Sequence, residues 1–125
     1  GATGRVLMAQ LPEADLDMLL DHTEFTAVSP TTMTDRRAVM DRLPEVARQG
    51  YEISYGEHLI GALAMAAPVR SYVLPAVVSL VGPEYRLEPR KDDVLRELLA
   101  AAERISRKVA AVFELREIPA RPRTL

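Results

Sequence analysis

The stretch GALAMAAPV, Gly61–Val69, sets the hardest condition on how this chain folds. On a strand, side chains alternate between faces. Ala62, Ala64 and Ala66 therefore share one face, and Leu63, Met65, Ala67 and Val69 share the other. Protein interiors are close-packed, so something must occupy the room that an alanine face leaves. Either a helix backs onto the strand tightly, or the space is a pocket. Dry voids are few in any domain, which favours the helix.

The residues just upstream tighten this reading. If Glu57 pairs with Gly61 across a turn of His58–Ile60, then Gly56 faces Ala62 and Ser54 faces Ala64. Ser54 then joins the alanine face, and a slip of one residue would remove it. The expected hairpin has its tip at Glu57–Ile60 and a stem lining a small-walled surface.

The rest of the chain supplies helices and one more strand. Thr3–Gln10 and Pro12–Asp21 read as two short helices, the second with Pro12 in its first turn and Glu13, Asp15 and Asp17 at its positive end. His22–Thr34 is a Thr-rich loop. Asp35–Gln49 reads as a helix with Thr34 as N-cap and Gly50 as terminator. Pro44 should kink it near Met40–Leu43 or split it in two. Tyr51–Gly56, Ala62–Val69 and Pro75–Gly82 are strands. The third is β-branched and apolar on both faces, which predicts a central strand covered on both sides. Pro89 opens a long amphipathic helix to about Glu114, and residues 115–125 are expected to be an extended or disordered tail. Together these elements predict a single α+β domain with an antiparallel sheet packed by helices.

Most chemistries find little support. The chain has no Cys, which excludes disulfides, thiolate nucleophiles and Cys-ligated zinc. Net charge is −2, without a Lys/Arg run, so the basic footprint of a nucleic-acid grip is missing. No apolar run reaches the ~18 residues that span a bilayer. Glu57 and His58 are neighbours, and neighbours on a strand diverge; no HExxH follows, and the second histidine, His22, lies in a distant loop. Ser54, Ser71 and Ser79 sit in no G-x-S-x-G turn. Gly1–Gly4, GATG, opens a helix whose free N–H groups either hold an anion or simply make a tight helix start. The opening GATGRVLMAQLP, without an initiator Met and already helical in pattern, reads as a piece cut from a longer protein.

Several stretches then fall into one pattern: Gly4-Arg5 through Leu11-Pro12, Gly50-Tyr51, Gly56-Glu57-His58 through Gly61, Ala66-Ala67-Pro68-Val69, Ser79 through Gly82-Pro83, and AAAERISR near the C-terminus. In this order and spacing, over nearly the whole chain, they resemble the effector-binding domain of IclR-type bacterial transcriptional regulators. The resemblance implies a GAF-like or profilin-like α+β fold, no reaction and no cofactor. It implies a small organic effector, a carboxylate or an aromatic acid. It implies homodimers or homotetramers in the cytoplasm, with no membrane partner. It also implies promoter DNA binding through an N-terminal winged helix-turn-helix domain that is missing from this chain, together with the first strands of the effector domain. Carried over by position, the effector contacts fall at Ala2, Thr3, Ser54, Ala62, Ala64 and Ser79. The family often has an acid where Ser54 stands, a Cys or Ser at Ala64 and a hydroxyl at Val81. These departures imply a less polar pocket and a larger or more apolar effector. The rival readings are a GAF-like sensor from another signalling chain, an enzyme using Glu57 and His58, and an assembly module whose alanine face packs on a helix.

Overall fold

Ala62–Val69 does form a strand, β2, at the middle of a three-stranded antiparallel sheet ordered β1-β2-β3. The computed structural model describes residues 1–120, with side chains described through Glu114. β1 is Glu52–Tyr55 and β3 is Ala76–Pro83. Helices α1 (Ala2–Met8), α2 (Glu13–Asp21) and α3 (Arg36–Gln49) precede the sheet. A short helix α4 (Glu84–Leu87), a 3₁₀ turn (Glu88–Arg90) and the long helix α5 (Lys91–Ala120) follow it.

The hairpin register is the expected one. Ser54 stands opposite Ala64 and Glu52 opposite Ala66, and the Gly56 N–H donates to the Ala62 carbonyl at 2.7 Å. Gly56 and Gly61 bracket the turn at φ 64° and 82°, in the left-handed region where a side chain is costly. β2 is buried on both faces. Leu63, Met65 and Ala67 pack under α5 against Leu98 and Ala102. On the other face Ala66 packs against Ala2 and Val6 of α1 and Val46 of α3. The helices thus form two layers with the sheet between them.

Four expectations need correction. β3 is not central: among the described residues it lies at the edge, and Ser79, Leu80 and Val81 are exposed. Apolar residues on both faces of a strand do not by themselves say what covers them. The cap of α3 is Asp35, one residue after Thr34; its carboxylate accepts the Arg37 N–H at 3.0 Å. Pro44 does not split α3 in two: it lies inside one helix, between buried Leu43 and Val46. The last helix starts at Lys91 rather than Pro89, because Pro89 sits in the 3₁₀ turn. It passes Glu114 to reach Ala120, so 115–120 is helical and not extended; 121–125 lies outside the described residues.

Candidate functional site

The alanine face of β2 is filled at one end and open at the other. At Ala66 the small residues of α1 and α3 close over the sheet. Toward Ala62 the cover stops at the start of α1, leaving a cleft of about 360 Å³. Its floor is Ala62 and Ala64 of β2, Ser54 of β1 and Val81 of β3; its wall is the first turn of α1, Ala2 to Gly4. The Gly56–Leu59 turn forms the rim. Both alternatives posed by the alanines therefore hold, at different positions along one strand.

Ser54 joins wall to floor. Its hydroxyl accepts the Ala2 N–H at 3.1 Å, which fixes the start of α1 over β1. First-turn amides have no intrahelical acceptor, so those of Thr3 and Gly4 are donors at the cleft wall.

Beside the cleft lies an ion-pair network. Glu52 is only 1% exposed. Arg42 of α3 grips its carboxylate with two hydrogen bonds of 2.8 Å, from Nε and Nη2. Arg5 of α1 adds Nε to the same carboxylate at 2.8 Å, and the Ile53 N–H adds a fourth at 3.0 Å. Burial alone would raise the Glu52 carboxyl; the hydrogen bonds from Arg42 and Arg5 outweigh it and hold the group at about 2. The same hydrogen bond raises Arg42. Arg5 also reaches the rim, where Nη1 donates to both carboxylate oxygens of Glu57 at 3.0 and 2.8 Å. Two arginines and two glutamates cancel, so the network adds no net charge beside the cleft.

Glu57 and His58 do not form a joint centre. The Glu57 carboxylate turns in to Arg5, while His58 is exposed. His22, the second histidine, is committed to the end of α2, where Nδ1 meets the Met18 carbonyl at 2.8 Å. The His22–Thr34 loop instead straps the rim from outside. Ser29, Thr31 and Thr32 donate their hydroxyls to the carbonyls of Gly56, Tyr55 and Glu57 respectively.

Residues 1–107 match the bacterial transcriptional regulator IclR C-terminal family. The chain belongs to the IclR family. It is 34% identical over 79 residues to the regulator XynR of Escherichia coli, covering 63% of this chain and 31% of XynR. It thus spans less than half the length of the curated relatives it matches. The solved C-terminal domain of the E. coli transcriptional regulator KdgR superposes with a TM-score of 0.77 at 29% identity, covering 87% of this chain and 68% of that one. The inducer-binding domain of the PobR transcription factor from Acinetobacter, a double mutant in complex with 3-hydroxybenzoic acid, gives 0.75 at 25% identity, covering 85% and 63%.

Of the six positions carried over from the IclR family, the structure gathers five around the cleft: Ala2, Thr3, Ser54, Ala62 and Ala64. Ser79 is not among them. It pairs with Ala66, at the closed end of the face, and is exposed; Val81, opposite Ala64, takes the place at the cleft. The residues that sequence reasoning missed are Arg5, Arg42 and Glu52. Glu52 carried a signal: it is the one charged residue in β1 and shares the Ser54 face.

Proposed function

We propose that this domain senses a small organic acid in the cleft and that the full regulator converts its binding into a change in promoter affinity. The observation that carries the reading is the open half of the alanine face, a cleft of about 360 Å³ in a domain of a regulator family. That volume falls in the usual range for small-molecule sites, about 300–1,000 Å³. Ala62, Ala64 and Val81 make an apolar floor suited to a ring, and the Thr3 and Gly4 amides are donors suited to a carboxylate. The PobR domain, bound to 3-hydroxybenzoic acid, supports an aromatic acid as the ligand class. The domain performs no reaction. DNA contact belongs to a winged helix-turn-helix domain elsewhere in the whole protein, a cytoplasmic homodimer or homotetramer. The effector shifts the regulator only by its difference in affinity for the two arrangements.

A thermal-shift panel of benzoate, 3- and 4-hydroxybenzoate and pyruvate tests this on the wild type and on Ala64→Leu. A ligand at about 100 times its Kd adds about 2.7 kcal/mol of stability. The expected result is a clear upward shift with one acid, lost in Ala64→Leu while the fold is kept. A shift of equal size in the variant would place the ligand elsewhere, and an unmoved wild type would favour an assembly module.

A further inference from the structure

The turn that rims the cleft holds one ionisable side chain that the fold leaves uncommitted. Gly1, Glu57 and His58 are the cleft-lining residues with an ionisable group. The first two face each other and Arg5. Glu57 accepts Arg5 Nη1 on both carboxylate oxygens, and its Oε2 lies 3.5 Å from the Gly1 amino group. The His58 ring is exposed, and among the described residues neither of its nitrogens is in a hydrogen bond or an ion pair. Its backbone is nevertheless fixed from both sides. The Glu57 carbonyl accepts the Thr32 hydroxyl, and the Leu59 carbonyl accepts the Ala62 N–H at 3.1 Å. The other ionisable groups nearby point elsewhere. Tyr55, on the opposite face of β1 from Ser54, bonds Glu88 and Lys91. Glu84 follows β3, gives its N–H to the Gly61 carbonyl at 2.8 Å and does not line the cleft.

We infer that His58 is the cationic contact for the carboxylate of the effector, and that it selects an anion over a neutral ligand of the same shape. This role rests on the sensing function proposed above. The floor does not make that choice, because Ala62, Ala64 and Val81 meet a ring whatever its charge. Glu57 does not oppose it, because Arg5 neutralises its carboxylate. His58 can add positive charge at the cleft without breaking an ion pair. An imidazolium N–H given to a carboxylate oxygen is a charge-assisted hydrogen bond, stronger than one from a neutral ring. Histidine changes charge between about pH 5 and 8, while a carboxylate stays ionised there. Affinity for the anion therefore rises as pH falls through that window, and affinity for the matching amide stays level. The adjacent pair divides its roles: Glu57 ties the rim to α1, and His58 meets the ligand.

Isothermal titration of the chain with 3-hydroxybenzoate and with 3-hydroxybenzamide, at pH 5.5 and pH 7.5, tests it. The wild type binds the acid about fivefold more tightly at the lower pH and the amide equally at both. His58→Gln binds the acid at the weaker level at both pH values. That variant keeps Gly1, Arg5 and Glu57, so any pH dependence left in it belongs to them. His58→Arg, charged throughout, binds the acid tightly at both. The ligand-free melting temperature of each variant matches the wild type, since the side chain is exposed. A His58→Gln variant that retains the fivefold change would overturn the assignment. So would a wild type that binds the acid equally at both pH values, and the sensing function would then still stand. A wild type that binds neither 3-hydroxybenzoate nor any other acid of the thermal-shift panel at pH 5.5 would overturn both.

Discussion

The two faces of β2 are one residue apart and do opposite things. Under α5, Leu63 and Met65 are wholly buried and the packing is continuous. On the reverse, the alanines pass from a closed contact at Ala66 to an open cleft at Ala62 and Ala64. Large side chains fill their own space and so fix what lies above them. Small ones leave that choice to neighbours: a helix can descend onto them, as at Ala66, or a ligand can. The identity of the residue is the same in both cases. What differs is whether α1 and α3 reach it.

That contrast can be broken at its anchor. Glu52 lies opposite Ala66 and ties α1 and α3 to the sheet through Arg5 and Arg42. Glu52→Gln keeps the shape but removes the charge that Arg42 and Arg5 grip, leaving Arg5 its bonds to Glu57, and should cost about 1.5–3 kcal/mol in urea unfolding. The same group sets an acid limit. Its folded pKa, about 2, lies below the unfolded value of about 4.3, so its contribution is complete above that value and is lost as pH falls toward 2. A stability profile from pH 6 to 2 should therefore fall through that window by about 3 kcal/mol, and in Glu52→Gln this fall should be absent. The next effect is smaller and separates the two ends of the alanine face. Ala66→Leu forces bulk into a closed contact and should cost about 1–3 kcal/mol. Ala64 touches the same cluster but also lines the cleft, so Ala64→Leu has room on one side and should change stability by less than about 1 kcal/mol. Equal losses at the two positions would mean that the cleft is packed in solution.

Much of this arrangement is legible in the sequence. The hairpin register follows from Ser54, Gly56, Gly61 and the alanines, since a slip by one residue would place Leu63 and Met65 on the small face. Gly50 marks the end of α3 because it is the residue that tolerates the conformation found there, φ 79°. What stays hidden is long-range. Arg5 and Glu52 are separated by forty-seven positions in sequence and meet only when α1 lies on β1. No local pattern reports such a pair, although a lone acid on a buried strand face asks for one. Ser79 lies outside the cleft for a related reason. Its face is right, but its position along β3 depends on a loop whose length and shape the strand pattern does not contain. The edge position of β3 likewise depends on what lies beside it and not on its own composition.

The strap over the rim has a consequence for how the cleft opens. Three hydroxyls of one loop hold three consecutive carbonyls, that of Tyr55 at the end of β1 and those of Gly56 and Glu57 in the turn that borders the cleft. Neither segment can leave without breaking the same bonds. The loop and the turn are therefore expected to open together, as one local unit separate from the sheet under α5. The rim of the cleft is tied to a loop about twenty-five positions away in sequence.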